Sequence, residues 1–330
     1  MAIGVGRPMI RERGHQPSDH VRFRRFAGLE GSWWAGRRST WADPARRPCA
    51  LATVRPMTST VERITTASGH ERFQRHWKAA RPRAALLLVH GIAEHSGRYE
   101  HVGDAFAAAG IDTLSFDLRG HGESGGRRGH VDSFDDFLDD VADLLVERRD
   151  PDVPVVLMGH SLGGLIAATA VVRGRAEPDL LVLSAPALDA QVPGWQRALA
   201  AMTGRFAPTL TIKNEFDGSR LSRDDAVGTA YRDDPLRTRV SSARLGSSVF
   251  AAMASTSSAL DRITMPTYVL HGTDDRLVPL QATDGFESLP NATRVVHEGL
   301  RHECLNEPEQ TEVIAGILAW LDEELAAVAS

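Results

Sequence analysis

The chain has 330 residues, 42% hydrophobic and 25% charged, the composition of a soluble globular protein, which excludes a fibre, a disulfide scaffold and wholesale disorder. With Lys and Arg at 38 and Asp and Glu at 43, the net charge is −5, so electrostatics gives no case for nucleic acid as the main partner. Cys49 and Cys304 lie too far apart in sequence to suggest a disulfide framework or a cysteine zinc site, and no run approaches the roughly eighteen apolar residues of a membrane span or the core of a secretory signal, so a cytoplasmic setting is expected.

Residues 1–57 hold eleven arginines against four acids, +7 in all, which leaves −12 for the remainder. This stretch carries Trp33, Trp34 and Trp41 but no apolar periodicity, and it reads as a disordered Arg-rich extension. Three origins remain open for it: a start codon read upstream of a natural Met57, a targeting segment, or a patch that touches anionic lipid. From about residue 60, short apolar runs alternate with amphipathic stretches, the signature of βαβ units and a mainly parallel sheet. Continuous apolar runs predict buried strands at Ala84 to Val89, Thr113 to Phe116, Val153 to Met158, Leu180 to Leu183 and Thr267 to Leu270. Helices are expected near 98–109, 134–148, 162–173 and 280–289. The final helix should be capped by Asn306, with Glu309 three positions on and Val313, Ile314, Ile317, Leu318, Leu321 and Leu325 on one face.

Between residues 189 and 262 the strand pattern fails, and Val192, Trp195, Leu199, Met202 and Phe206 recur at spacings of three and four. The expected architecture is therefore an α/β core, residues 58–188 and 263–330, with a mostly helical cap inserted at 189–262 over the carboxyl ends of the strands. The apolar stripe lines a ligand tunnel under the cap, buries the cap against the body, or does both with different residues.

The sharpest chemical signal is the apolar strand Val155 to Met158 running into Gly159-His160-Ser161-Leu162-Gly163-Gly164. A serine hydroxyl becomes a useful nucleophile when a strand-to-helix turn of this kind holds it exposed beside a base. The backbone N–H of Leu162, at the positive end of the following helix, is placed to stabilise an oxyanion. Leu86 to Val89 ends in His90-Gly91, so the N–H of Ile92 is the candidate second donor. For the base, His302 follows the strand Arg294 to His297 and the turn residue Gly299. Two carboxylates, Asp274 and Asp275, lie just past the strand that ends at His271. Asp275 is the choice to orient the histidine, with Asp274 as the alternative. The chain order Ser161, Asp275, His302 is that of the α/β-hydrolases.

The strings HGIAEHSGRYEHV, DLRGHGESGGRRGHV, GHSLGG, LSAPAL, HGTDDRLVP and HECLNEPE, with LSRDDAVGTAYRDDPL in the insertion, together resemble the monoacylglycerol lipases of the α/β-hydrolase superfamily, especially bacterial ones, over residues 60–325. The resemblance implies the α/β-hydrolase fold, Ser161, Asp275 and His302 as the triad, and Ile92 and Leu162 as the oxyanion hole. It further implies that Glu94, Arg98 and His160 line a polar pocket for glycerol. One position departs: the family usually has glycine where this chain has Ala93, which predicts an altered path for the loop holding Ile92.

The expected activity is hydrolysis of a monoacylglycerol to glycerol and a fatty acid through an acyl-enzyme, with no metal or organic cofactor. The partner is then a small lipid ester, with transient membrane-surface contact through the cap. The rivals are a carboxylesterase or lysophospholipase with the same triad, and a non-catalytic ligand-binding protein. Proline iminopeptidases differ in carrying Gly-Gly-Ser-Trp-Gly at the elbow. Arg119 reads as shaping the fold beside the site, Arg127, Arg128 and His130 as structural or solvated, Cys304 as a small buried group, and the run Asp132, Asp135, Asp136, Asp139, Asp140 and Asp143 as a solvated helix face rather than a metal site.

Overall fold

The computed structural model describes residues 59–214 and 217–328. The expected disordered extension, residues 1–57, lies outside them. The strands are β1 (Thr60–Thr65), β2 (Glu71–Trp77), β3 (Ala84–Val89), β4 (Ile111–Phe116), β5 (Val155–His160), β6 (Leu180–Ser184), β7 (Thr211–Lys213), β8 (Val240–Ser242), β9 (Thr267–Gly272) and β10 (Ala292–His297). The helices are α1 (Glu100–Ala108), α2 (Asp135–Glu147), α3 (Leu162–Val172), α4 (Gly194–Phe206), α5 (Asp225–Asp233), α6 (Ala243–Ser257) and α7 (Gln310–Val328).

Eight strands form one sheet in the order β1-β2-β4-β3-β5-β6-β9-β10, parallel except where β2 pairs antiparallel with β1 and β4. The central strands β3, β5, β6 and β9 are buried along their whole length because helices cover both faces. One apolar core joins α2, α3 and α6 to the sheet, and a second joins α1 and α7 to the other face. Helix α3 is apolar all round and buried at every residue, as a helix enclosed by sheet and neighbouring helices must be.

Between β6 and β9 the chain leaves the sheet and builds α4, α5 and α6. This stretch is not free of strands as expected, since β7 and β8 pair into a two-stranded ribbon. Further differences concern element ends. Residues 280–288 form a 3-10 rather than an α-helix. Helix α7 begins at Gln310, so Asn306 does not cap it; Asn306 closes a short 3-10 turn and donates to Glu303 Oε2 at 3.0 Å. Pro308, two residues before α7, disfavours helical backbone at Glu307 and moves the start downstream. The acidic face of α2 is not wholly solvated either. Asp140 is buried and receives two bonds from Arg119, at 2.6 and 2.7 Å, which anchor the Arg119 loop to the helix. Among the described residues neither this run nor any other group of His, Cys, Asp and Glu is placed to hold a metal ion.

Candidate active site

Parallel strands deliver their carboxyl ends to one edge of the sheet, and five segments meet there. Strand β5 runs into Ser161, whose backbone adopts φ 52° and ψ −115° before α3 begins at Leu162. The turn is tight enough that a Cβ on Gly163 would collide with the carbonyl oxygen of Val89, and one on Gly159 with that of Gly163. Position 161 carries a side chain at positive φ because its neighbours hold it: its N–H donates to Ser184 O at 2.9 Å, and its carbonyl accepts from Leu165 N at 3.0 Å and Ala187 N at 2.9 Å.

The Ser161 hydroxyl donates to His302 Nε2 at 2.8 Å, and His302 Nδ1 donates to Asp275 Oδ2 at 2.7 Å. All three residues are buried. Asp275 is the carboxylate in contact, while Asp274 is exposed. Asp275 Oδ1 accepts from the N–H groups of Leu277 and Val278 at 2.8 and 3.0 Å, and a second histidine, His271, donates to Oδ2 at 3.0 Å. Burial alone would raise the Asp275 carboxyl, but His302 and these donors outweigh it and hold the group well below the usual carboxylate range. Burial would lower His302, yet the charges of Asp275, Glu303 and Glu94 prevail and raise it above an ordinary histidine.

These groups open onto a cavity of about 160 Å³. Ile92, Leu162, Ala187, Leu221, Val249, Met253, Leu277 and Val278 supply its apolar lining; Glu94, Arg98, His160, Tyr231, His302 and Glu303 supply its polar end. The volume matches a cavity that holds a benzene-sized guest. A long acyl chain would have to extend beyond it, so this cavity is not the enclosed tunnel that the sequence raised. The apolar stripe does not line it: Trp195, Leu199, Met202 and Phe206 are 65%, 45%, 54% and 76% exposed.

Ile92 and Leu162 both line the cavity beside Ser161. Ala93, where the resemblance expects glycine, is buried and itself adopts the left-handed backbone, φ 63°, that glycine favours. Glu94, on the same loop, accepts from Gly91 N, from the Tyr99 hydroxyl at 2.8 Å and from Arg98 at 3.0 Å. His160 pairs through Nδ1 with Ser184 Oγ at 3.1 Å and packs its ring 4.9 Å from that of His302. Burial, reinforced by His302, lowers it to about 4, so it is neutral near pH 7.

Three cavity or second-layer groups escaped the sequence reading. Glu303 grips Arg98 through two bonds, at 2.6 and 2.8 Å, and its only sequence signal was adjacency to His302. Tyr231, on α5, lies under Arg98 and Arg237 at 5.2 and 4.7 Å, and its buried hydroxyl has no partner among the described residues. His271, the penultimate residue of β9, gave no hint in sequence of its contact with Asp275.

The family described as serine aminopeptidase, S33, matches residues 80–309. A monoacylglycerol lipase of Mycolicibacterium smegmatis is 35% identical over 251 residues, covering 73% of this chain and 88% of its own. A phospholipase of Bacillus subtilis, YtpA, is 32% identical, covering 75% of this chain and 98% of its own. Among solved structures, the monoacylglycerol lipase of Paleococcus ferrophilus superposes with a TM-score of 0.71 at 31% identity, over 77% of this chain and 99% of that one.

Proposed function

Since the chain belongs to the serine aminopeptidase S33 family of α/β-hydrolases and groups there with the monoacylglycerol lipases, we propose that it cleaves monoacylglycerols at the sheet edge described above. It is a carboxylic ester hydrolase. The observation that carries the reading is the unbroken line from the Ser161 hydroxyl through His302 to Asp275 at the wall of this chamber.

In this reading Ser161 Oγ attacks the ester carbonyl while His302 Nε2 takes its proton, and Asp275 holds the ring and stabilises the imidazolium that forms. The N–H groups of Leu162 and Ile92 receive the oxyanion, aided by the positive end of α3. His302 returns the proton to the departing glycerol oxygen, and water then repeats the sequence on the acyl-enzyme. Glycerol hydroxyls meet Glu94, Arg98 and the unpartnered hydroxyl of Tyr231, with His160 as a neutral wall. The insertion, residues 189–262, acts as a cap, and the acyl chain leaves the chamber along its apolar underside at Leu221, Val249 and Met253. Each methylene it buries adds roughly 0.8 kcal/mol. The outward face of α4, extended by Leu210 and Ile212, rests on the lipid surface that supplies the substrate. No helix among the described residues is long and apolar enough to cross a membrane, and we place the enzyme in the cytoplasm, peripheral to the bilayer.

The test is a hydrolysis panel of 1- and 2-monoacylglycerols, a diacylglycerol, a lysophospholipid, an aryl ester and an aminoacyl anilide, run with the parent and with Ser161→Ala. Monoacylglycerols should be the best substrates, and Ser161→Ala should lower every rate by roughly 10⁴-fold or more with folding intact. Activity of the variant within tenfold of the parent would discard the mechanism; preference for the anilide would discard the substrate.

A further inference from the structure

An arginine in the wall of a lipid-esterase chamber would ordinarily invite a phosphate, because its planar fork binds such anions through paired donors. Here the fork is taken. Arg98 Nη1 and Nη2 donate to Glu303 Oε1 and Oε2 at 2.6 and 2.8 Å, and Nη1 also reaches Glu94 Oε2 at 3.0 Å. Asn306 Nδ2 also donates to Glu303 Oε2, at 3.0 Å, and adds a third bond to the carboxylate. Both carboxylates are buried, the Arg98 side chain is 11% exposed, and all three line the chamber. Among the residues lining this end of the cavity, two acids against one base leave one net negative charge: Tyr231 and the lowered His160 add no cation, His302 is paired with the Asp275 carboxylate, and Arg237, against the Tyr231 ring, is not a lining residue.

We propose that Glu303 is a specificity-determining residue: by occupying the Arg98 guanidinium and leaving the chamber one charge negative, it admits an uncharged polyol leaving group and rejects the phosphoester of a lysophospholipid. The idea rests on the esterase reading above and refines its substrate class. An entering phosphate would meet two carboxylates and find no free fork, whereas glycerol hydroxyls can bond to carboxylate oxygens and to Tyr231 without a charge conflict. In a partly buried site one unit of charge a few ångströms away shifts relative affinity by on the order of tenfold to a hundredfold.

The experiment compares kcat/KM for a 1-monoacylglycerol, the lysophosphatidate with the same acyl chain, and the ethyl ester of the same acid. Glu303→Gln should raise the lysophosphatidate-to-monoacylglycerol ratio at least tenfold, mostly through KM for the anionic substrate. Adding Arg98→Met to that variant removes one cation, restores the net charge of the parent, and should return the ratio towards the parent value. A residue with a purely structural role would show no such recovery, since the second substitution would compound the first. On the parent itself, glycerol 3-phosphate should inhibit at least tenfold more weakly than glycerol, a comparison that needs no variant to fold. A ratio within twofold of the parent in Glu303→Gln, no recovery in the double variant, or equal inhibition by the two glycerols overturns the proposal alone. A parent that turns over the ethyl ester but not the monoacylglycerol overturns the esterase substrate reading as well.

Discussion

Asp275 and Asp274 are adjacent carboxylates in sequence, and only their surroundings separate them. Four donors converge on Asp275: two backbone N–H groups on Oδ1, and His302 and His271 on Oδ2. They leave the carboxylate no freedom to turn away from the imidazole, which is how an acid fixes the tautomer that can accept a serine proton. Asp274 only donates its backbone N–H to Leu300 O and presents its side chain to solvent. Asp275→Asn should therefore lower kcat by about 10⁴-fold while the fold persists, because the amide stabilises neither the required tautomer nor the imidazolium. Asp274→Asn should leave kcat within about twofold. Equal losses in steady-state assays of the two would refute the assignment. At this scale Ser161 and His302 were legible, because each stands just past a strong strand signal. The choice between Asp275 and Asp274 was open in sequence because a histidine 27 residues away decides it, and His271 was invisible because its contact four residues on depends on how the chain turns after β9.

The insertion is held by its two halves differently. Residues 221–242 are tied down: Glu303 N donates to Leu221 O, Arg301 to Ser222 O, Glu307 accepts from Ser222 and Arg223, His95 pairs with Asp234, and Ser242 N donates to Gly129 O. Arg128, read as structural from the sequence, joins this clamp through Thr238. Helix α4 instead packs on α6 and turns Trp195, Met202 and Phe206 to solvent. The apolar periodicity of α4 was legible, yet periodicity reports that a face exists and not what covers it. The hairpin β1–β2 was missed for a related reason, since an edge hairpin studded with Arg, Glu and Gln lacks the continuous apolar run of a central strand. If α4 rests on lipid, Trp195→Ser with Phe206→Ser should weaken binding to phospholipid vesicles and lower turnover of vesicle-borne monoacylglycerol by about tenfold or more, each lost side chain forfeiting one to two kcal/mol of burial. Turnover of a short, fully soluble ester should stay within twofold, because neither residue lines the chamber. Vesicle flotation and paired rate measurements check this, and parallel loss on both substrates would assign α4 to the fold instead.

Across the whole molecule, pH acts in two directions on two sets of histidines. Burial lowers His90 and His160 to about 4 and His121 to about 3, so the folded protein keeps these rings neutral. An unfolded chain would protonate them near pH 6.5, so their contribution to stability is complete above that value and is lost as pH falls from about 6.5 towards 4. Each lowered ring contributes on the order of a few kcal/mol, and all three act in the same direction. His302 has the opposite sign. Its folded pKa is raised, so the stability it adds is complete below about 6.5 and fades as pH rises through the folded value, while its activity as a base appears over that same interval. The acid limb of kcat/KM should accordingly fall above pH 6.5, where the fold is near its most stable. The unfolding free energy from urea titrations should decline by several kcal/mol between that point and pH 4.5, where three rings act together, and by less on the alkaline side, where His302 alone acts. An acid limb well below pH 6 would contradict the raised His302, and a free energy flat from pH 7 to 4.5 would contradict three neutral rings inside the fold.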